Sequence, residues 1–549
     1  MKKNLLNLVL VAVATFALAS CNNPAKMAEA AEQIKIDCVP EVLEVVAGNI
    51  DATVTVTFPA EYFHPKAVLE VTPVMLYVGG EVEGTPFRYQ GSKVTENWKT
   101  VGEDGASITE KVHFDFVPGM EKSELVGRAK VIYKGQEYEY PADIKIADGC
   151  ITTYMLVDNG GYFDYKKDNY QEVIPETAEA QILYMINNAD VRNSELKSAD
   201  IKDYTEALKA LANDERREIK GTDIVAYASP DGPAALNDKL SANREKSAKK
   251  AFDKVTKKLE TGDVNTKSIG EDWEGFQELV NNSNIEDKDL IIRVLSMYSD
   301  PNVREREIKN MSSVYQSLAE DVLPQLRRAR FITNVEYTNF TADELKDLVE
   351  NNIDVLDEEA LLRAATLVKD AKSKLEIYKQ AIKKFDSDRA KFNAAVTCLN
   401  EGEDKDAKSF INKIDNKDCK CVKNLLGVLA MREGDNDAAA KYFKESGNEA
   451  AKANLGVLDI LNGKYADAAK KLEGVGGHNE GLAKILNGDL EGASKVLKCK
   501  CPTSSYLRAV VAARKGDVET AKKELEAAKK NADLEKRAAN DVEFLQINK

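Results

Sequence analysis

Histidine is scarce in this sequence of 549 residues, which contains only three copies, His64, His113 and His478. Imidazole is a frequent general base in hydrolases and the commonest metal ligand. None of the three histidines has a histidine, cysteine or acidic partner at the spacing of the usual zinc motifs. The composition therefore disfavours a histidine-dependent hydrolase, and we expect no metal and no cofactor.

Long apolar runs and excess positive charge are also missing. After the first twenty residues, no stretch approaches the roughly 18 unbroken apolar residues that a membrane-spanning helix needs. The 92 acidic residues outnumber the 77 basic ones, and the formal net charge is −15. Because phosphate binding requires a concentrated positive surface, we expect no nucleic-acid partner. The length predicts several domains, each large enough to bury its own core.

The N-terminus has the layout of an export signal. Lys2 and Lys3 precede an apolar stretch, residues 5–17, and the tetrapeptide Leu-Ala-Ser-Cys follows, ending at Cys21. This ending resembles the lipobox of bacterial lipoproteins, which implies a signal peptide at 1–20, lipidation of Cys21 and a lipidated tether at 21–34. Residues 22–26 contain no acidic run of the kind that resembles the surface-export signal of some lipoproteins. We therefore expect a protein that is lipid-anchored in the outer membrane and faces the periplasm.

Seven further cysteines remain, in a compartment that permits disulfides. Cys38 and Cys150 bracket the first domain, either as a staple between its first and last strands or as two unpaired thiols. Cys398 stands alone in the C-terminal half, which also carries two Cys-Lys-Cys tripeptides, 419–421 and 499–501. These tripeptides are either soft-metal ligands or turn residues that recur because the segment itself is repeated.

Residues 35–150 show short alternating apolar runs separated by turn signals. Residues 51–58 and 67–71 are examples, and further strands are expected at 111–116, 127–133 and 137–146. This spacing predicts an N-terminal β-sandwich of the immunoglobulin-like kind. Residues 151–172 form the predicted linker to the next domain.

Residues 173–340 alternate between strand and helix, which predicts an α+β domain. Strands are expected at 181–186 and 223–228, and helices at 203–212 and 235–259. Between them, residues 227–245 read YASPDGPAALNDKLSANRE. This stretch resembles the central motif of OmpA-like peptidoglycan-binding domains, at Gly232, Asn237, Leu240, Ser241 and Arg244. The run Leu326-Arg327-Arg328-Ala329-Arg330 is similar to the start of that family's closing strand.

The resemblance implies a clamp for the zwitterionic diaminopimelate side chain of the peptidoglycan stem peptide. Such a ligand needs a carboxylate for its ammonium group and a guanidinium for its carboxylate. Arg244 stands at the family's arginine position and Asn237 at its asparagine. Ser229 occupies the family's aspartate position, and the nearest acid is Asp231, which either reaches the ligand or only completes a tight turn.

Residues 341–549 are predicted to be an α-helical repeat solenoid. Glycine and small residues recur at fixed offsets and resemble the tetratricopeptide repeat, in which small residues allow helices to cross closely. The positions that carry this packing are Gly427, Gly434, Ala439, Gly456, Gly463, Ala468, Gly488 and Ala493. Further copies are expected around Gly402 and Gly516, and one that ends at Phe385. Such arrays present a concave groove to a protein partner.

No catalytic motif is complete in this sequence. The glycines at 474–477 do not form a dinucleotide fingerprint, and the adjacent acids Glu271 and Asp272 cannot flank a scissile bond. We therefore expect a protein that is not an enzyme. Two hypotheses remain. The first is an envelope scaffold that links the outer membrane to peptidoglycan and holds a protein partner on its repeats. The second is a wall-independent accessory subunit of an outer-membrane assembly, secretion, fimbrial or uptake complex.

Overall fold

A computed structural model describes residues 24–285, 288–545 and 547. The predicted signal peptide, residues 1–20, and the predicted lipidation site, Cys21, lie outside the described residues. Contacts divide the chain into two compact units: residues up to 166 together with residues from 391 onward, and residues 167–390. In the described part of the chain, no helix is both long and apolar enough to cross a membrane.

The N-terminal part of the first unit is rich in β-structure. Its elements are α1 (Pro24–Glu29), β1 (Lys35–Val39), β2 (Val42–Val46), β3 (Asn49–Phe58), β4 (Val68–Tyr77), β5 (Gly80–Glu83), β6 (Phe87–Gly91), β7 (Lys99–Val101), β8 (Ala106–Asp115), β9 (Ser123–Tyr133), β10 (Gln136–Glu139) and β11 (Ile144–Ile151). Long antiparallel ladders join β3 to β8 and β4 to β9, and β2 runs parallel to β11. Buried side chains of β3, β4, β6 and β9 share one core.

These ladders confirm the predicted β-rich N-terminal region, while its immunoglobulin-like assignment stays a prediction. The predicted tether is packed from Pro24 onward, because Met27 is fully buried and its carbonyl accepts a hydrogen bond from the Tyr62 hydroxyl at 2.8 Å. Of the two alternatives for Cys38 and Cys150, the structure has the unpaired thiols, both buried.

The second unit is built on a four-stranded sheet flanked by helices. Its elements are β12 (Val173–Leu183), α2 (Ala199–Leu211), β13 (Arg217–Ala228), α3 (Ala234–Val255), β14 (Asp263–Glu271), α4 (Trp273–Asn282), α5 (Lys288–Met297), α6 (Pro301–Asn310), α7 (Ser312–Ser317), α8 (Leu323–Leu326), β15 (Arg328–Thr338), α9 (Ala342–Asn351), α10 (Glu358–Leu367) and α11 (Ala371–Phe385). The strand order is β12-β15-β13-β14, with β13 parallel to β14 and the other pairs antiparallel.

Helices α2 and α3 cover this sheet with Tyr204, Leu208 and Phe252, which pack against Ile224 and Phe331 of the strands. Between β14 and β15, the helices α4, α5 and α8 form a small core of their own, which includes Phe276 and Leu326. The strand predicted at 223–228 lies within β13, and the helices predicted at 203–212 and 235–259 largely coincide with α2 and α3, whereas the strand predicted at 181–186 ends at Leu183. The predicted boundary at residues 340/341 differs from the division between the units, which falls at 390/391.

Helices from α12 onward form successive pairs, which confirms the predicted C-terminal helical repeat region. They are α12 (Asp388–Asn400), α13 (Asp404–Asn412), α14 (Lys420–Arg432), α15 (Asn436–Ser446), α16 (Glu449–Leu461), α17 (Tyr465–Lys471), α18 (Gly477–Leu486), α19 (Leu490–Val496), α20 (Pro502–Arg514), α21 (Val518–Ala528) and α22 (Ala532–Asn540). A glycine with positive φ stands in the turn within each of the first five pairs: Gly402, Gly434, Gly463, Gly488 and Gly516.

Close helix approach explains the other recurring small residues. A Cβ atom on Gly427 would lie 2.5 Å from the ring of Phe443, and one on Gly456 would lie 2.7 Å from the side chain of Leu472. Ala439, Ala468 and Ala493 on the second helices are fully buried. The first helices therefore cross the second helices at distances that larger side chains would prevent.

Candidate functional site

The structure brings four sequence-predicted site residues of the second unit into one region. Ser229 and Asp231 follow β13, and Asn237 and Arg244 lie on α3. The Ser229 hydroxyl donates to the Asp231 carboxylate at 2.6 Å. Asn237 is buried, and its amide nitrogen donates to the carbonyls of Ser229 and Gly232 at 3.2 and 2.9 Å. Asn237 therefore holds the turn that presents Ser229 and Asp231.

Arg244 is fully enclosed. Its guanidinium donates to the backbone carbonyls of Asn188, Tyr227 and Met185 at 3.0, 2.9 and 3.2 Å, and it stacks over the ring of Tyr184. Burial lowers the pKa of Arg244 to about 10, so the group stays charged at neutral pH. The residue predicted to receive a ligand carboxylate instead ties α3 to the loop at 185–188 and to the end of β13.

Arg327 is a member of this cluster that sequence reasoning did not select. Its NH2 nitrogen donates to Asp231 at 3.1 Å, and its Nε donates to the Ser229 hydroxyl at 3.3 Å. The side chains of Arg327 and Asp231 are 14% and 17% exposed, whereas Arg244 is closed to solvent. The sequence feature that pointed to Arg327 was the arginine-rich run 327–330. The sequence alone did not show which acidic residue pairs with each arginine. In the structure, Arg328 pairs with Asp272 and Arg330 with Glu179.

A second candidate site lies on the repeats, on the face formed by the first helices of successive pairs. This first-helix face carries one buried asparagine on each of α12, α14, α16 and α18: Asn393, Asn424, Asn454 and Asn479. Three of them stand nine residues before the turn glycine of their pair, and Asn424 stands ten before its glycine. We name these four residues the asparagine row.

The asparagine row binds the chain's own residues 157–166, which we name the cis segment. At its two ends the contact is reciprocal. Asn479 accepts from the Asp158 backbone nitrogen and donates to the Asp158 carbonyl, both at 2.8 Å. Asn393 accepts from the Lys166 nitrogen at 2.8 Å and donates to its carbonyl at 2.9 Å. The asparagine amides thus bind main-chain groups. These contacts do not require a particular side chain at the bound positions of the cis segment.

The middle of the cis segment is held by two asparagines. Asn454 accepts from the Tyr162 nitrogen at 2.7 Å and donates to the Tyr162 carbonyl at 3.0 Å. Asn424 donates to the same carbonyl at 2.8 Å, and its own side-chain oxygen accepts from Asn454 at 3.0 Å. The bound positions 158, 162 and 166 are four residues apart, and the segment runs opposite to the order of the repeats.

Two further contacts restrict what fits on this face. Arg432 donates to the Gly160 carbonyl from Nε at 3.0 Å and from NH2 at 2.6 Å. Gly161 has φ +90°, and a Cβ atom there would lie 2.7 Å from both methyl groups of Val428. A larger residue at position 161 would be strained by its backbone and would also clash with Val428.

A third cluster joins His478, at the start of α18, to the second Cys-Lys-Cys tripeptide. The His478 Nε2 atom lies 3.0 Å from the Cys501 sulfur, and the Cys501 nitrogen donates to the Cys499 sulfur at 3.2 Å. Burial raises the pKa of Cys501, but hydrogen bonds with Cys499, Ser504 and His478 outweigh it and lower the pKa to about 6. Folding brings together two residues that are 23 positions apart in the sequence, a separation outside the spacing of the usual zinc motifs.

Comparisons with known proteins add little to this geometry. No protein-family model matches the chain, and no curated protein matches it. Similar solved structures include a tetratricopeptide repeat protein from Parabacteroides merdae (12% identity, 43% of this chain, 99% of that chain, TM-score 0.30). Others are the APC/C hetero-tetramer Cut9-Hcn1 (12%, 57% and 71%, 0.30) and yeast Tom70 (12%, 63% and 78%, 0.26). Structural similarity at TM-scores this low does not indicate a function.

Proposed function

We propose that this protein is a non-enzymatic scaffold of the bacterial cell envelope whose repeats bind an extended polypeptide. One observation carries this proposal: buried asparagines of the repeats bind the backbone nitrogens and carbonyls of Asp158, Tyr162 and Lys166 in reciprocal pairs. A buried amide without a hydrogen-bond partner destabilises the folded protein by about 1–3 kcal/mol. Binding of an extended chain to this face avoids that cost and is therefore favourable.

We propose that, when the protein functions, a segment of a partner protein replaces the cis segment on the asparagine row. Since the asparagine row binds main-chain groups, the partner has to be extended and to carry a small residue at the position of Gly161. The cis segment belongs to the same chain and the same compact unit as the repeats, so its binding is intramolecular and a partner has to compete with it. The partner therefore has to bind tightly, or to arrive when the cis segment has been drawn away.

Photo-crosslinking in intact cells tests the scaffold proposal. A photoreactive residue is placed at Arg432, on the first-helix face, in a replacement chain whose residues 157–166 are glycine and serine, except for proline at 158, 162 and 166, which removes the backbone donors that the asparagine row binds. The matched control places it at Lys441, an exposed position on α15. We expect a crosslink to a second protein from position 432 and none from position 441. Equal crosslinking from both positions, or none from either, would reject the proposed docking face.

The anchor and the location belong to the same proposal. We place the protein at the outer membrane, facing the periplasm and held by a lipid on Cys21. This rests on the lipobox resemblance and on the absence of an acidic run in residues 22–26. Loss of one lipid anchor removes most membrane affinity, so Cys21→Ser should release the chain into the periplasmic fraction. Unchanged membrane fractionation of this variant would contradict the anchor.

A second candidate function is peptidoglycan binding by an OmpA-like domain at 173–340. The observation that favours it is the partly exposed pair of Asp231 and Arg327, with Ser229 between them. A zwitterionic ligand can exchange with such a pair, because its ammonium group faces the carboxylate and its carboxylate faces the guanidinium. In this proposal Arg327 takes the role that the family resemblance implied for Arg244, and Arg244 supports the fold.

Sedimentation with purified peptidoglycan separates this function from the wall-independent alternative. The full chain from residue 22 should sediment with peptidoglycan, and Asp231→Asn and Arg327→Ala should each abolish sedimentation. Arg330→Ala is the matched control, because this arginine lies three residues after Arg327, on β15, and pairs with Glu179. If the unaltered chain stays in solution, the protein is a wall-independent subunit that works through protein contacts alone.

A further inference from the structure

Three donor atoms of metal-ligand type converge between α18 and α20. They are a ring nitrogen of His478 and the sulfurs of Cys499 and Cys501, and all lie within 4.8 Å of one another. Cys499 is exposed, while His478 and Cys501 are half-buried. A Zn²⁺ ion with Zn–S bonds of about 2.3 Å and Zn–N bonds of about 2.0 Å holds its donors roughly 3.5–3.8 Å apart. Small movements of these three side chains would bring the donors to those separations.

The backbone around these donors is fixed from both sides. Arg508 donates to the carbonyls of Leu497 and Cys499 at 2.9 and 2.7 Å, and it pairs with Glu524 at 2.8 Å. Pro502 follows Cys501 directly and begins α20. These contacts hold the tripeptide turn in one shape. A preformed arrangement of ligands reduces the ordering that metal binding would otherwise require.

On the other side, the start of α18 positions His478. The carboxylate of Glu480, which is almost fully buried, accepts a hydrogen bond from the Gly476 nitrogen at 2.7 Å. The neighbouring Asn479 is bound to both backbone polar groups of Asp158. The imidazole is therefore attached to a part of the helix whose position is set by contacts on either side of it.

The geometry points to a thiophilic metal site at His478, Cys499 and Cys501, with Zn²⁺ or Cu⁺ as its ion. Two sulfurs and one imidazole are soft or borderline donors, which select these ions over Mg²⁺ and Ca²⁺. Three protein ligands leave one tetrahedral position of Zn²⁺ for water or for a group from a partner, whereas Cu⁺ accepts three ligands. The ion would link α18 to the turn before α20.

The first Cys-Lys-Cys tripeptide provides an internal comparison. Cys419 and Cys421 are joined by a disulfide, so neither offers a thiolate. Among the described residues, the one group of three or more histidine, cysteine or acidic side chains with metal-ligand geometry is that of His478, Cys499 and Cys501. The same three-residue sequence therefore forms an internal disulfide at 419–421 and lies beside a histidine at 499–501.

Metal titration of the full chain from residue 22 tests this inference. The metal-free protein, with the Cys419–Cys421 disulfide intact and Cys499 and Cys501 as free thiols, is titrated with Zn²⁺ in competition with a chromophoric chelator, and in a second series with Cu⁺. We expect one ion per chain. His478→Gln, Cys499→Ser and Cys501→Ser should each weaken binding by about tenfold or more, since loss of outer-shell partners alone has effects of that size. Cobalt substitution should give a sulfur-to-metal absorption band that both cysteine variants weaken or lose.

The control is Cys419→Ser combined with Cys421→Ser, which should leave the stoichiometry at one ion per chain. Binding of Cu⁺ alone would identify copper as the ion, and binding of Zn²⁺ would identify the tetrahedral alternative. The site is rejected if the metal-free chain binds neither ion, or if the affinity is unchanged in all three ligand variants. Loss of binding in the Cys419/Cys421 control would also reject it, because the ion would then lie elsewhere.

Discussion

Asn454 binds Tyr162 through both of its backbone polar groups: its oxygen accepts from the Tyr162 nitrogen at 2.7 Å, and its nitrogen donates to the Tyr162 carbonyl at 3.0 Å. The two residues are 292 positions apart in the sequence. An amide side chain satisfies a backbone N–H and C=O together in the way that a neighbouring β-strand does. The repeats therefore bind residues 157–166 through main-chain groups. This mode of binding is the basis of the proposal that the repeats bind an extended polypeptide.

Removing this amide should destabilise the first unit. Asn454→Ala leaves the Tyr162 nitrogen and the Asn424 side-chain oxygen without their partner, at about 1–3 kcal/mol for a buried unpaired group. Urea unfolding followed by circular dichroism measures the loss. Asn487→Ala is the matched control, since Asn487 is exposed at the end of α18, and it should change stability by less than about 0.5 kcal/mol. Equal effects of the two variants would contradict the role of the asparagine row.

A larger residue at position 161 should expel the cis segment. Gly161→Val adds a branched side chain at φ +90° and against Val428, so both backbone strain and overlap oppose binding. We expect faster amide hydrogen exchange in residues 157–166, with the helices largely unchanged. Gly161→Ala combined with Val428→Ala should recover part of the protection, because it relieves the overlap and keeps the strain. Unchanged exchange in Gly161→Val would show that the segment does not need this contact.

Because the helices of the repeats cross closely, we expect a large side chain at Ala468 to lower the stability of the repeats. This residue is fully buried on α17, and Ala468→Trp should destabilise the array by about 1–3 kcal/mol or more through overpacking. Ala466→Trp places the same side chain at an exposed position of the same helix and serves as the control. Thermal unfolding should separate the two variants. Similar midpoints would mean that the crossing tolerates large residues.

Glu359 should make part of the stability of the second unit dependent on pH. Burial raises its pKa, but hydrogen bonds from Arg389 and from the Asn169 nitrogen outweigh it and hold the pKa below the ordinary 4.5. This contribution is fully present above pH 4.5 and is lost as the pH falls through the lower pKa of the folded state.

Glu359→Gln should therefore be less stable than the unaltered chain at pH 7, and the difference should shrink at pH 3. Denaturant unfolding at the two pH values measures this. Glu376→Gln, which removes an exposed acid paired with Lys379, is the control and should show a small difference at both. A constant difference for Glu359→Gln would contradict the pKa direction.

Local sequence signals predicted much of the fold. Helix α3 was expected at 235–259 and spans Ala234–Val255, and the five turn glycines of the repeats lie where the period placed them. These features depend on neighbours in the sequence, such as Gly434 at a left-handed turn. The asparagine row, which stands nine residues before most of these glycines, was not selected from the sequence, and nothing local indicates that a distant segment binds it.

Features that depend on long-range contact could not be predicted. Arg244 was expected to face a ligand, and its burial comes from the loop at 185–188, whose carbonyls enclose it. Arg327 was one of three nearby arginines, and only the fold pairs it with Asp231. His478 and Cys501 lie on different helix pairs. In each case the deciding neighbour is far away in the sequence, so composition and spacing carried no information about it.

Binding of the cis segment as a separate peptide tests the central claim most directly. A labelled peptide of residues 155–168 is titrated into the replacement chain of the crosslinking test, which has proline at 158, 162 and 166, after circular dichroism has verified its helical content. We expect one peptide per chain, weaker binding by about tenfold or more for a Gly161→Val peptide or for Asn454→Ala in the chain, and little binding to the unaltered chain because its own segment competes. No binding to the folded replacement chain, or equal binding of both peptides, would contradict the claim that the repeats bind an extended polypeptide.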